Sequence, residues 1–227
     1  MKKLRIGVAG IAHMHSQSYI DCLKQIPYAS FVGIAEENKE NKTGLSNYGA
    51  KVYDTYEELC KSKEIDAIII TTETVHHAPI AIRALEEGKH VIVEKPIATT
   101  LKDADAMIAA AQKSGMFLVQ IYPCRYHPTA KFIKSEIDSG SFGSILALSG
   151  TNHGQMPPHN GSTKWFSQRE LSGGGALMDH ITHLADLYFW FLKSELKSVY
   201  AVQANLFHKS VDIDDAGMVC LEFKNGV

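Results

Sequence analysis

Three short stretches of this 227-residue chain collect side chains able to do chemistry. The first is Gly10-Ile11-Ala12-His13-Met14-His15, which follows the apolar run Leu4–Ala9. A glycine at a strand-to-helix turn lets the backbone approach a pyrophosphate, whose charge the helix N-terminus then stabilises. Gly10, Ala12, His13 and Met14 are therefore candidate cofactor-turn residues. Only the first glycine of G-x-G-x-x-G is present: Ala12 stands second and His15 third, where a side chain is expected to loosen helix–sheet packing. Glu36 closes the next apolar run, 26 residues after Gly10, near the place of an acid that accepts ribose hydroxyls ~20 residues on. Its charge would repel a 2′-phosphate, so NAD(H) is expected to be preferred; Lys39 and Lys42 nearby keep NADP(H) possible. The plain alternatives are a structural turn and a solvated acid.

The second stretch is Glu94-Lys95-Pro96, directly after the apolar run His90–Val93. In an open parallel sheet, ligands bind outside the carboxyl ends of strands, so Lys95 is aimed at that crevice. Its ammonium can stabilise a developing alkoxide; a surface lysine is the ordinary alternative. The third stretch is Gly173-Gly174-Gly175 followed by Asp179 and His183, which lie at i,i+4 and share a helix face. Histidine is the natural proton acceptor near neutral pH, and a carboxylate can orient it. Asp186 offers His183 a structural partner instead.

Other chemistries fit less well. The histidine pairs His13/His15, His76/His77 and His180/His183 invite a metal, but no H-E-x-x-H occurs and the four cysteines lack ligand spacing, so no metal is expected. No G-x-S-x-G marks a hydrolase. Lys+Arg 23 against Asp+Glu 25 gives a formal charge of −2, which argues against a nucleic-acid or anionic-membrane partner. No apolar run approaches the ~20 residues of a membrane span, and scattered cysteines fit a reducing cytoplasm.

The elements that must position these residues alternate in the first half. Strands are expected at Leu4–Ala9, Phe31–Ala35, Asp66–Ile70, His90–Val93 and Phe117–Val119. Helices are expected at His15–Gln25, Lys39–Tyr48, Tyr56–Ser62, Ala78–Glu87 and Leu101–Lys113. Short wholly apolar strands between helices imply a parallel, doubly wound α/β sheet. After about Pro123 the pattern turns to α+β: helices at Thr129–Ser139 and Leu177–Leu192, and strands at Ile145–Thr151, Val199–Asn205 and Met218–Phe223. This gives an expected division into 1–122 and 123–227. The Gly/Pro/His-rich stretch Asn152–Gly175 has the length of a functional loop. The strand Met218–Phe223 runs into Asn225-Gly226, a strong hairpin signal, and only Val227 follows. A fragment of a longer protein is the favoured reading.

Together these stretches resemble the glucose–fructose oxidoreductase/inositol dehydrogenase/MocA-like family of nicotinamide-dependent dehydrogenases. The most specific matches are HHAPIAIRALEEGKHVIVEKPIATT (His76–Thr100) and GGGALMDHITHLAD (Gly173–Asp186), supported by RYHP at Arg125–Pro128, SGSFGSI at Ser139–Ile145 and the closing FKNG. The resemblance implies a Rossmann domain followed by an α+β domain with an open, mainly antiparallel sheet that this chain leaves incomplete. It implies Lys95 contacting substrate and nicotinamide, His183 as acid/base and Asp179 as its partner. Thr71, Thr72, His77 and Glu94 would stand near the cofactor, although Thr72 occupies a place where many relatives carry proline. The substrate, a sugar, polyol or derivative, would meet Lys95, Arg125, His153, Trp165, Asp179 and His183. The segment Thr151–Trp165, with Asn152 and His159, would set specificity, and the complete protein would be a homo-oligomer. A non-catalytic nucleotide sensor and a metal-assisted lyase or hydrolase built on Asp179, His180 and His183 remain the alternatives.

Overall fold

The computed structural model describes residues 3–155 and 161–227; the expected specificity residue His159 lies outside them. The described chain divides into two compact units. Residues 3–121 with 161–173 form the first, and residues 122–155 with 174–227 the second.

The first unit is built on β1 (Leu4–Ala9), α1 (Ser16–Gln25), β2 (Ala29–Ala35), β3 (Lys51–Tyr53), α2 (Tyr56–Lys61), β4 (Ala67–Ile70), α3 (His77–Glu86), β5 (His90–Val93), α4 (Leu101–Ser114) and β6 (Leu118–Gln120). Six parallel strands run in the order β3-β2-β1-β4-β5-β6. The order reverses between β1 and β4, the switch point at which such sheets bind ligands. Gly10 and Thr71 follow the two strands there. Apolar clusters cover both faces. Ile20 and Leu23 of α1 pack with Val8, Ile34 and Ile69 on one side, and Leu59, Ile80, Leu85 and Met107 pack with Ile68, Ile70 and Val93 on the other. Burial on both faces is why β4 reads AIII without alternation.

Local chemistry sets the helix ends. Thr55 and Thr100 accept from the backbone N–H of Glu58 and Asp103, capping α2 and α4. Gly115 ends α4 in the left-handed region, at φ 68°.

The second unit holds a 3-10 turn at Pro123–Tyr126, then α5 (Pro128–Ser139), α7 (Ala176–Leu192), β7 (Leu196–Ala204) and β8 (Ala216–Phe223). A short α6 (Arg169–Ser172) precedes α7 in the chain and belongs to the first unit. β7 and β8 pair antiparallel, Val199 opposite Leu221 and Ala201 opposite Val219. The Asn225-Gly226 turn forms: Gly226 has φ 92°, its N–H donates to Phe223 O at 3.0 Å, and Phe223 N–H donates to Val227 O at 2.9 Å.

Two expected elements are not found. The helix Lys39–Tyr48 is reduced to a single 3-10 turn at Leu45–Tyr48, because Gly44 enters the left-handed region at φ 86° and breaks the path. The strand Ile145–Thr151 is irregular; Leu146 and Ala147 are exposed, and no ladder partner for it exists among the described residues. Two of the elements named above were not anticipated: α6 is a single helical turn inside the expected loop Asn152–Gly175, and β3 is three residues long and sits at the sheet edge beside β2, too short for a pattern to show.

Candidate functional site

The turn after β1 is built by contacts from every side. Gly10 has φ 79°, and a Cβ there would lie 2.3 Å from Thr72 Cγ2 and 2.8 Å from Thr72 Cα. Thr71 reinforces this closeness, its hydroxyl donating to Gly10 O at 2.6 Å and its carbonyl accepting from His13 N–H at 3.0 Å. Thr71, Thr72 and Ala12 are buried. Met14 is exposed. Trp165, from the returning segment, is also buried. Its indole N–H donates to Ala12 O at 3.1 Å, and its ring and that of Phe166 lie 6.2 and 5.4 Å from the His13 ring. Helix α1 then starts with no side-chain cap and no acid in its first turn. A glycine turn leading into a helix start without a side-chain cap suits a pyrophosphate. The N–H groups of Ile11, His13, His15 and Ser16 are bonded within the protein, which leaves those of Ala12, Met14 and Gln17 to meet it.

Glu36 is fully buried and already holds three donors. Ile11 N–H reaches Oε2 at 2.8 Å, while Asn38 N–H and the Tyr56 hydroxyl reach Oε1 at 2.8 Å each. Burial and the Glu36 charge push the Tyr56 phenol up. Past this acid opens a cavity of about 750 Å³ lined by Glu37, Asn38, Tyr56, Glu73, His76 and Arg83, among others. Arg83 is paired with Glu57 and Glu87, at 3.5 and 2.9 Å. The cavity thus carries an excess of carboxylate.

Glu94 and Lys95 leave β5 buried, and the Lys95–Pro96 peptide is cis. One Glu94 oxygen, Oε1, lies 2.7 Å from His15 Nδ1 and 3.6 Å from His13 Nδ1 and accepts from the Tyr19 hydroxyl at 2.5 Å. The other, Oε2, accepts from Lys95 backbone N–H. Burial alone would raise the Glu94 pKa, but the His15 hydrogen bond, the His13 charge and the Tyr19 hydrogen bond bring it down to about 2. His77 is buried with its ring nitrogens 3.0 Å from Pro96 O and 3.3 Å from Thr72 O, and burial lowers its pKa. It ties the lysine loop to the end of β4. The potential metal-ligating atoms of His13, His15 and Glu94 lie within 4.8 Å of one another, the one such trio among the described residues. Asp179, His180 and His183 do not form one.

In the second unit, Asp214 caps α7. Its carboxylate accepts from Gly175 and Leu177 N–H at 3.0 and 2.7 Å, and its carbonyl accepts from Ala176 N–H at 2.9 Å. The glycine run serves this approach: a Cβ on Gly175 would lie 1.9 Å from Asp214 O. Asp179 and His183 sit one turn apart on α7. Asp179 Oδ2 lies 3.8 Å from His180 Nε2, and His183 Nδ1 lies 3.7 Å from Cys124 Sγ. Asp186 is claimed by Arg125, whose Nε and Nη2 donate to its two oxygens at 2.7 and 2.5 Å. His153 is exposed.

Comparison with known proteins now adds to this geometry. Residues 4–122 match the oxidoreductase family with an NAD-binding Rossmann fold, and residues 131–227 match the GFO/IDH/MocA C-terminal domain. The chain belongs to this family. A dTDP-3,4-didehydro-2,6-dideoxy-alpha-D-glucose 3-reductase of Streptomyces violaceoruber is 27% identical over 96% of this chain and 63% of its own length. Inositol 2-dehydrogenase of Salmonella paratyphi B is 28% identical over 99% of this chain and 65% of that protein. Among solved structures, the WlbA dehydrogenase of Bordetella pertussis in complex with NADH and UDP-GlcNAcA superposes with a TM-score of 0.85, at 26% identity, covering 100% of this chain and 65% of that one. The chain therefore spans a little under two thirds of these relatives.

Sequence reasoning missed three contacts: His15 and Tyr19 on Glu94, Trp165 on Ala12, and, in the second unit, Asp214 on α7. All three join residues far apart in the chain. Only the first left a partial signal, since His15 and Tyr19 are i,i+4 at the start of one helix.

Proposed function

We propose that the protein is a nicotinamide-dependent oxidoreductase acting on the CH–OH group of a sugar, polyol or related derivative. The observation that carries this reading is Lys95, buried directly after β5 in the sheet whose switch point presents the uncapped start of α1. The names of the relatives, which are of sugar and cyclitol enzymes, support the substrate class.

The nucleotide is assigned to residues 1–122 and the substrate to 123–227, with residues 161–173 serving the nucleotide unit. Gly10, Ala12, His13 and Met14 and the first turn of α1 would hold the pyrophosphate; Thr71, Thr72 and His77 would frame the nicotinamide end. A bound nicotinamide would supply the hydride chemistry. Lys95 stabilises the carbinol oxygen as charge develops on it. His183 takes the hydroxyl proton at Nε2, with Nδ1 turned to Cys124, and Asp179 tunes the imidazole. Arg125, His153 and Trp165 are assigned to substrate recognition, with Arg125 acting through Asp186 and Trp165 through the cofactor turn. The carboxylates Glu36, Glu37 and Glu73 favour NAD(H), because a 2′-phosphate beside them would be desolvated against like charge.

The sheet β7–β8 exposes Val199, Tyr200, Val202 and Met218, which supports a homo-oligomer; equilibrium sedimentation tests it. The activity itself is tested by following absorbance at 340 nm with NAD⁺ and NADP⁺ against a panel of polyols and sugars, with metal content measured in parallel. Polyol-dependent nucleotide reduction by metal-free protein supports the reading. Nucleotide binding without turnover on any panel member favours the sensor, and metal-dependent consumption of a panel member without nucleotide reduction favours the lyase or hydrolase class.

A further inference from the structure

The departure of this chain from the glycine fingerprint has a structural consequence. A histidine occupies the third glycine place, and its ring does not press into the sheet. His15 is partly exposed and directs Nδ1 at Glu94 Oε1, 2.7 Å away. One turn later on α1, the Tyr19 hydroxyl donates to the same oxygen at 2.5 Å. The opposite oxygen of Glu94 accepts from the backbone N–H of Lys95. A single buried carboxylate therefore joins the first turn of the cofactor helix to the main chain of the lysine.

We infer that Glu94 and His15 are positioning residues that couple occupation of the cofactor turn to the placement of Lys95, with Tyr19 as the second arm. The inference rests on the nicotinamide reading above. The buried carboxylate is held by two side chains and a backbone amide, with His13 Nδ1 a further 3.6 Å neighbour. A displacement of the first turn of α1 must shift His15 and Tyr19, and through Glu94 it reaches Lys95 within two residues. Charge-assisted hydrogen bonds in a low-dielectric setting transmit such shifts better than apolar contacts, which can slide. Glu94 is thus a joint between two parts of the site, and need not touch the nucleotide to matter for it.

The test is a double-mutant cycle on NADH affinity, read by the fluorescence of bound NADH with the whole chain, so that no substrate is needed. His15→Ala and Lys95→Met are measured singly and together, first with Glu94 present and then in the Glu94→Gln background. With Glu94 present, the effects on Kd should be non-additive by roughly 5-fold, within the range of groups sharing one network. In Glu94→Gln the coupling should fall to within about twofold, because the amide cannot accept at every position the carboxylate serves. His15→Gln, which keeps a side-chain donor, should restore part of the coupling. If Glu94→Gln does not fold, Glu94→Asp replaces it; its shorter reach cannot span both partners and should also abolish the coupling. Additive effects with Glu94 present, or coupling that survives Glu94 substitution, would overturn the inference while leaving the nicotinamide reading intact. A wild-type protein that does not bind NADH would overturn both.

Discussion

Glu94 shows how a single carboxylate is held anionic in a buried setting. Its pKa falls to about 2 in the folded chain, whereas an exposed glutamate titrates near ~4.3. Stability from this depression is fully present above the unfolded value and is lost as pH falls through the folded value. The stability difference between wild type and Glu94→Gln, from urea unfolding, should therefore be largest near neutral pH and shrink between about pH 5 and 2. A difference that does not change with pH would mean that the charge contributes nothing. Glu36 gives a second prediction at this scale. It already accepts from three donors and does not line the 750 Å³ cavity, whose carboxylates are Glu37, Glu57 and Glu73. NADH should bind at least ~10-fold tighter than NADPH, about 1.4 kcal/mol, and Glu37→Lys should narrow that ratio. Titration of both nucleotides in one buffer decides it; an unchanged ratio in Glu37→Lys would place the ribose end elsewhere.

At the scale of elements, the glycine run before α7 is the sharpest case. Gly175 faces the Asp214 backbone with no room for a Cβ, whereas a Cβ on Gly174 would lie 3.0 Å from Met178 Cβ and 3.2 Å from its Sδ, a tight but milder contact. Gly175→Ala should cost at least ~2 kcal/mol and Gly174→Ala distinctly less, in line with overpacking that grows with the overlap. Thermal unfolding measures both, and equal losses would contradict the assignment. The same region marks what the sequence could convey. The run of glycines signalled a close approach, but not that its partner is Asp214, 39 residues on. Likewise the AIII of β4 and the VIV of β5 were legible as short, wholly apolar runs between helices, the mark of a sheet covered on both faces. Lys39–Tyr48 was expected as a helix but carries Asn41, Thr43, Ser46 and Asn47 and is interrupted by Gly44, and Ile145–Thr151, apolar enough for a strand, finds no ladder among the described residues. Pattern reports what a segment can do; pairing decides what it does. Motif order named the catalytic candidates, while the contacts of His15, Tyr19, Trp165 and Asp214 were not read, because each joins distant positions.

At the scale of the molecule, the chain is a family member that spans a little under two thirds of the relatives named above, with a six-stranded parallel sheet and a two-stranded antiparallel one among the described residues. The proposed chemistry gives Lys95 and His183 each a part in the oxidation of a carbinol. The measurement that tests this most directly is the single-turnover rate of NAD⁺ reduction with the best panel substrate, in wild type, Lys95→Ala and His183→Asn, with NADH affinity determined alongside. The account predicts a loss of at least ~10²-fold in rate for each variant, the low end for a positioned proton-transfer group, with NADH affinity in His183→Asn within about threefold of wild type. Near wild-type rates in either variant would contradict it and remove that residue from the chemistry.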